Sequence, residues 1–217
     1  EISSAGFAAI KRSPKRLIGI IQSITNAGKT RLALTGRKPM GYIAIEIGGS
    51  EGVADQFIPD GLEECDDIQI VHVRMEDPTY PDTGDPKYDQ LLTQSVQAVG
   101  NDALDKFYKA YYASIANMET TVIDTGDDLW EIARLANFGR LEKVPQLAYT
   151  QLNKAMDKLI DDSYSNPNSV FWIHHMKEKW ETFTNENGKA QGRPSGVFEM
   201  FGYKVAIDMG QTIIELW

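Results

Sequence analysis

Short apolar runs recur along the chain, and each run is bounded by polar residues, glycine or proline. Their length and their content of β-branched residues are typical of buried strands. Six runs have these properties: residues 16–22 (RLIGIIQ), 42–47 (YIAIEI), 68–75 (IQIVHVRM), 120–124 (TTVID), 169–173 (SVFWI) and 212–217 (TIIELW).

Helical patterns separate these runs. Apolar residues at three- and four-residue steps predict helices over 29–35, 87–116, 127–135 and 147–164. Gly100 and Asn101 predict a break in the second helix, and Asp127 or Asp128 is placed to cap the third. Strands that alternate with helices predict an α/β fold of three layers around a mostly parallel sheet.

Two segments lack apolar periodicity and predict long, mobile surface loops. Residues 76–86 contain three prolines and several acids, and residues 182–195 contain two glycines and a proline. Neither segment has the composition of a linker between domains. With 217 residues and 42% hydrophobic residues, the chain is expected to form a single domain over 1–217.

The first predicted strand leads into a phosphate-loop pattern. Residues 23–30 (SITNAGKT) match G-x-x-x-x-G-K-[ST] at every fixed position except the first, where Ser23 replaces glycine. In such a loop the backbone amides face phosphate groups, the lysine reaches the β- and γ-phosphates, and the hydroxyl binds Mg²⁺. We therefore expect ATP to contact the whole segment and the next residue: Ser23, Ile24, Thr25, Asn26, Ala27, Gly28, Lys29, Thr30 and Arg31.

An acid at the end of another apolar strand supplies a second part of this site. Asp124 ends TTVID and is expected to bind Mg²⁺ together with Thr30. Hydrolysis also requires a group that positions water. Glu46 and Glu51 are both candidates, and the choice between them stays open.

Composition restricts the other possible functions and the location of the protein. The net charge is −9, so contact with nucleic acid must be local, because such affinity depends largely on Lys and Arg. The single cysteine excludes an internal disulfide and a cysteine-built zinc site. No apolar stretch approaches the ~20 residues that span a bilayer, and residues 1–10 do not resemble a secretion signal, so a cytoplasmic location is expected.

In the order and content of these blocks the chain resembles the RecA-like phage ATPases, AAA-type nucleotide-binding proteins associated with recombination and single-strand annealing. The resemblance rests on SITNAGKT, YIAIEIGGSEG, TTVIDTGDDLW and SVFWIHHMKEKWE. It implies a RecA-like core that assembles into a ring or filament, with ATP at subunit interfaces. It also implies that Glu46 or Glu51 is the catalytic acid and that His174 or His175 senses the γ-phosphate.

The same resemblance implies contacts with a neighbouring subunit and with DNA. Lys177 and Lys179 would reach a neighbour's γ-phosphate. The segment 182–195 lies where RecA-like proteins contact single-stranded DNA, and four residues are candidates for that contact: Trp180, Phe183, Lys189 and Arg193.

The resulting hypothesis is an Mg²⁺-dependent ATPase that acts on single-stranded DNA in phage-type recombination or annealing, inside the host cell, alongside a recombinase or a single-strand-binding protein. Two alternatives stay open: a P-loop helicase or packaging motor, and a nucleotide-binding interaction module with little turnover. The patterns do not distinguish ring from filament or DNA from RNA.

Overall fold

The computed structural model describes residues 16–25, 27–47, 67–76, 86–140, 144–184, 190–200 and 210–216. These residues form seven strands: β1 (Ile18–Ser23), β2 (Met40–Ile47), β3 (Ile68–Met75), β4 (Thr120–Asp124), β5 (Ser169–Thr184), β6 (Ala190–Met200) and β7 (Thr212–Leu216). They also form four α-helices and one 3₁₀ turn: α1 (Lys29–Ala33), α2 (Pro86–Asn117), α3 (Gly126–Phe138), the turn Gln146–Ala148 and α4 (Tyr149–Tyr164).

The strands form one sheet in the order β3-β2-β4-β5-β1-β7, with β6 paired to β5. All pairs along this order are parallel, and only β5 and β6 pair antiparallel. The predicted α/β class with a mostly parallel sheet is therefore confirmed. Strand β1 leads into the phosphate loop and strand β4 ends at Asp124, and in the sheet only β5 lies between them.

Apolar side chains cover both faces of the sheet, as the near-continuous apolar runs require. On one face α2, α3 and α4 pack against residues such as Ile20, Ile123 and Trp172. On the other face α1 packs through Ala33 against Ile21 and its neighbours. The three-layer prediction is thus also confirmed.

The predicted break in the second helix is wrong, because α2 runs without interruption from Pro86 to Asn117. Gly100 serves helix packing instead: a Cβ there would lie 3.0 Å from the backbone of Ala136 in α3. Asn101 is compatible with the helix because its side-chain amide donates to the carbonyl of Gln97, 2.8 Å away. Here the glycine permits close approach of two helices and does not end one.

The capping prediction for the third helix is wrong as well. Thr125 is the N-cap of α3, and its side chain accepts from the backbone N–H of Asp128. Asp128 accepts in return from the Thr125 hydroxyl at 2.8 Å. Asp127 has a different set of partners, described below.

The predicted loop over 182–195 is wrong for the part that the structure describes. Residues up to Thr184 belong to β5, and residues from Ala190 belong to β6. They pair across a ribbon in which Thr182 lies opposite Gly192. The ribbon is mostly exposed, so its strands lack the apolar alternation that reveals a half-buried strand. The loop predicted over 76–86 lies, apart from its two ends, outside the described residues.

Candidate functional site at the carboxyl edge of the sheet

The carboxyl ends of β1, β4 and β5 meet at one edge of the sheet. In the parallel register Ser23 lies opposite His175, and Asp124 lies opposite Ile173. Ligands of open α/β sheets bind outside the carboxyl ends of the strands. The predicted phosphate loop, the predicted metal residue and the histidine pair are therefore brought to the place where this fold binds ligands.

The loop after β1 does not need a glycine at the first position of the motif, where this chain has Ser23. Ser23 is the last residue of β1 and is fully buried in extended backbone, where a side chain is tolerated. Left-handed backbone occurs at Gly28, with φ 87° and ψ 17°, immediately before α1. Glycine adopts this conformation without steric cost. Of the predicted loop residues, Asn26 lies outside the described residues, and Arg31 is exposed on α1.

Lys29 is buried at the centre of this edge, with 6% of its surface exposed. Its ammonium donates to the Ser23 hydroxyl at 3.1 Å, to the Ser23 carbonyl at 3.3 Å and to the Ile24 carbonyl at 2.9 Å. Burial lowers the pKa of Lys29, and the charges of Asp124 and Asp127 oppose part of that shift. The lysine is thus a buried cation that oxygen atoms surround.

Thr30 and Asp124 meet although they are far apart in the chain. The Thr30 hydroxyl donates to Asp124 Oδ2 at 2.6 Å. The structure therefore brings together the two residues that the sequence assigns to Mg²⁺.

Tyr42 joins the same carboxylate, and the sequence reasoning missed it. Its hydroxyl donates to Asp124 Oδ2 at 2.5 Å. Burial, with the adjacent Asp124 charge, raises the pKa of Tyr42 well above its usual value, so the phenol keeps its proton. The period of two in YIAIEI places Tyr42, Ala44 and Glu46 on one face, and this was the signal that could have identified it.

Glu46 lies near the end of β2 and is 8% exposed. Its carboxylate accepts from Arg74 Nε at 3.0 Å and lies 3.8 Å from His72 Nδ1, both on the neighbouring strand β3. Glu51, the competing candidate, lies outside the described residues. The catalytic role of either glutamate stays a prediction.

The two histidines that end the apolar part of β5 have different environments. His174 is 1% exposed, and both of its ring nitrogens lack a hydrogen-bond partner within the described ranges. Burial lowers its pKa to about 4. Its ring packs on Gly126, where a Cβ would lie 2.5 Å from His174 Cε1.

His175 has one buried partner, Asp127. Its backbone N–H lies 3.2 Å from Asp127 Oδ1, and its Nδ1 lies 2.9 Å from Asp127 Oδ2. Burial favours the neutral form of Asp127, but the bond with His175 and the two imidazoles outweigh it and lower the pKa of this carboxyl. The sequence pattern predicts Asp127 only as a helix cap.

The residues predicted to contact DNA do not form one surface. Trp180 is 67% exposed and lies over Gly192, on one face of the β5–β6 ribbon. Phe183 is an odd number of residues away and lies on the other face, beneath the Arg193 guanidinium at 5.1 Å. Arg193 Nε also donates to Glu181 at 2.8 Å.

The remaining predicted residues lie on or beside the same ribbon. Lys177 and Lys179 are exposed on β5 beyond the central sheet. Lys189 lies outside the described residues. The described ribbon, residues 176–184 and 190–200, contains three basic residues (Lys177, Lys179, Arg193) and three acidic ones (Glu178, Glu181, Glu199).

A strand, a loop ending in Gly-Lys-Thr and a helix at the carboxyl edge of a parallel sheet are the arrangement of the P-loop class of α/β folds. No protein family model matches the sequence, and no curated protein matches it. Among solved structures, the chain is similar to a KaiC-like protein from the hyperthermophilic archaeon Pyrococcus horikoshii. The sequence identity is 13%, the match covers 93% of this chain and 72% of that chain, and the TM-score is 0.46. A similarity at this level assigns no family, activity or partner.

Within the described ranges, no helix is both long and apolar enough to cross a bilayer.

Proposed function

We propose that this chain binds a nucleoside triphosphate, ATP, with Mg²⁺ at the carboxyl edge of the sheet and hydrolyses it. The observation that carries the proposal is the 2.6 Å contact between the Thr30 hydroxyl and the Asp124 carboxylate, beside the buried Lys29. These three groups come from two separate segments, and a P-loop site requires all of them together.

Phosphate binding is supported by the state of Lys29. A buried ammonium is costly unless oxygen atoms solvate it, and here three loop oxygens do so. Phosphate oxygens are stronger acceptors because they carry charge. We infer that Lys29 exchanges loop carbonyls for phosphate oxygens when the triphosphate binds.

The residues present also fit Mg²⁺. The ion prefers hard oxygen ligands and usually takes one or two from the protein, with water and phosphate oxygens supplying the rest. Thr30 and Asp124 offer a hydroxyl and a carboxylate, and the described part of the chain has no group of three or more acidic, histidine or cysteine residues arranged to hold a metal ion. When bound, the ion would neutralise negative charge that develops on the phosphates.

The remaining residues have proposed roles in hydrolysis. Glu46 faces the side of the sheet that carries Asp124, and it is the described candidate for the acid that positions water. His175 lies opposite the start of the phosphate loop. It is better placed than His174 for a role near the γ-phosphate, because His174 is enclosed against α3.

The finer assignment is a RecA-like ATPase that assembles into a ring or filament and acts on single-stranded DNA in recombination or annealing. Exposed aromatic rings on extended ribbons suit base stacking, and Trp180 meets that requirement. Arg193 and Phe183 offer a weaker second surface, since Glu181 already pairs with the arginine. Lys177 and Lys179 are the proposed contacts to a neighbour's γ-phosphate.

The first test is nucleotide binding by Lys29→Ala. Hydrogen bonds to charged groups contribute about 1.5–3 kcal/mol each, and the lysine makes several, so we expect no measurable affinity for Mg²⁺-ATP by calorimetry. Lys106→Ala, at an exposed position on α2, is the matched control and should bind like the natural protein. Unchanged affinity in Lys29→Ala would refute the phosphate site.

A second candidate is a nucleotide-binding module with little turnover. The Glu46 contact with Arg74 favours it, because a carboxylate oxygen that accepts from the guanidinium is less available to orient a water molecule. Phosphate release, measured with and without single-stranded DNA, separates the two. Binding without release under both conditions would establish the second candidate.

A further inference from the structure

Asp127 is the most enclosed acid of the carboxyl edge, with 3% of its surface exposed. A buried carboxylate destabilises the fold unless its oxygens are satisfied. Both oxygens of Asp127 are satisfied by one residue, His175, which offers its backbone N–H and its ring Nδ1. This double contact joins the first turn of α3 to the end of the buried part of β5.

A purely structural link would need only the backbone N–H, which any residue except proline supplies at position 175. The second contact, between ring Nδ1 and Asp127 Oδ2, comes from the histidine side chain and fixes which ring nitrogen carries the hydrogen. Asp127 is ionised at neutral pH, because its pKa is lowered, and an ionised carboxylate only accepts hydrogen bonds. The hydrogen of a neutral His175 ring therefore lies on Nδ1, and Nε2 is left with its lone pair.

The position of the ring places Nε2 beside the phosphate loop, where it can accept a hydrogen bond. His175 lies opposite Ser23, where the phosphate loop begins, and the Lys29 ammonium donates to Ser23. Its side chain is 32% exposed, and within the described ranges the ring makes no hydrogen bond except the one to Asp127. An acceptor nitrogen at this place suits water better than phosphate, because phosphate oxygens are themselves acceptors.

We propose that Asp127 and His175 form a water-positioning pair, in which Asp127 is a positioning residue and Nε2 of His175 accepts a hydrogen bond from the water that attacks the terminal phosphate. The pair takes the water-positioning role in place of Glu46, whose carboxylate contacts Arg74. This inference rests on the proposed function. The water oxygen bonds to the terminal phosphorus, the bond from that phosphorus to the bridging oxygen breaks, and the nucleoside diphosphate leaves. The water proton passes to Nε2, and Asp127 stabilises the resulting imidazolium.

The test compares Asp127→Asn and His175→Gln with the natural protein in steady-state ATP hydrolysis. Outer partners that orient a functional group typically contribute about 10- to 100-fold, so kcat should fall by that factor in each variant with KM nearly unchanged. The double variant should lose no more than the worse single variant, because the two residues act as a unit. Glu131→Gln is the matched control: it removes a carboxylate from the same helix, and its partner is Arg134.

A spectroscopic measurement separates positioning from a merely structural role. Long-range proton–nitrogen correlation spectra of the natural protein should show His175 with hydrogen on Nδ1, and the Nε2 resonance should shift when a non-hydrolysable ATP analogue with Mg²⁺ binds. Asp127→Asn should move the hydrogen to Nε2, since its amide can donate to Nδ1. If Asp127→Asn does not fold, His175→Gln keeps the backbone contact to Asp127 and carries the kinetic test.

Turnover within twofold of the natural protein in either variant would overturn the inference. It would also be overturned if the Nε2 resonance of His175 did not shift when the analogue binds. Failure of the proposed function has a different signature. In that case calorimetry finds no binding of the analogue to the natural protein at all, whatever the ring tautomer in the unliganded state.

Discussion

Strand β5 passes through two regions that place opposite demands on its residues. Its first part lies between β1 and β4, and there the carboxyl edge contains buried polar groups. Lys29 and Asp127 are hydrogen-bonded to polar neighbours, and His174 is enclosed without a hydrogen-bond partner among the described residues. Its second part leaves the sheet and pairs only with β6, in a ribbon whose polar groups face water. The same strand therefore contributes to an enclosed polar site and to an exposed surface.

The comparison shows where single substitutions should matter. At the carboxyl edge the loss of one partner leaves another buried group unsatisfied, which costs about 1–3 kcal/mol or more for charged groups. On the ribbon, ion pairs such as Arg193 with Glu181 are exposed, and such pairs contribute little to stability. Changes at the edge should thus alter both chemistry and folding, and changes of exposed side chains on the ribbon should alter mainly contacts with partners.

The largest expected effect is on hydrolysis in Asp124→Asn. Loss of the carboxylate charge removes a ligand for the ion that stabilises the transferred phosphoryl group, an effect of several kcal/mol, so turnover should fall at least about 100-fold. Nucleotide binding should remain, because the phosphate loop and Lys29 are unchanged. Phosphate release and calorimetry check the two halves of this prediction.

The ribbon variant Val197→Ala, at an exposed apolar position, is the control for Asp124→Asn and should retain full turnover. Normal turnover in Asp124→Asn would contradict the metal assignment.

A pH effect on stability should come from His174. Its pKa is about 4 in the folded protein, below the ordinary value of 6.5, so the unfolded chain binds more protons between these two values. The contribution of neutral His174 to the free energy of unfolding is fully present above pH 6.5. It is lost as the pH falls toward 4, and the loss is at most about 3 kcal/mol. Urea unfolding at several pH values measures this loss.

In His174→Asn the part of the slope between pH 6.5 and 4 should disappear, while Val197→Ala should keep it. A slope that persists unchanged in His174→Asn would assign the pH dependence to other groups.

On the ribbon, Trp180→Ala should weaken binding of single-stranded DNA. Stacking of a base on an aromatic ring contributes about 1–3 kcal/mol, so the affinity should fall about 5- to 150-fold in fluorescence anisotropy titrations. Arg193→Ala should have a smaller effect, since that arginine is paired with Glu181 and lies on the opposite face. Equal effects of both would indicate that the strand of DNA wraps both faces, and no effect of either would remove the ribbon from the interface.

The smallest predicted effect compares two glycines in the same conformation. Gly28 at the phosphate loop has φ 87° and Gly196 on the ribbon has φ 73°, and a Cβ at either would meet no atom within 4 Å. Alanine in left-handed backbone costs roughly 1–2 kcal/mol, without any added clash. Gly28→Ala should weaken ATP binding about 5- to 30-fold if the loop must hold this conformation.

Gly196→Ala carries the same strain and should leave the ATP affinity unchanged, as calorimetry can show. Equal loss of affinity in both would mean that the effect is general destabilisation and not loop geometry.

The sequence by itself determined the strands of the central sheet and the residues of the phosphate loop. Buried parallel strands are nearly continuous apolar runs, and this local signal predicted Ile68–Met75 and Thr120–Asp124 with their observed bounds. The loop motif is contiguous, so Lys29 and Thr30 could be identified without knowing what lies beside them.

Only the tertiary structure decided which distant residues meet. Tyr42 and Asp124, or Asp127 and His175, are far apart in the chain, and no local pattern states which buried polar groups will pair. The packing of Gly100 on α3 is a long-range contact of the same kind, which is why a helix break was predicted in its place. The ribbon of β5 and β6 was predicted as a loop for a different reason, because its exposed strands lack the apolar alternation of a half-buried strand. Periodicity reports how a segment divides its surface between core and solvent, whereas partner choice depends on the sheet order and register that bring separate segments together.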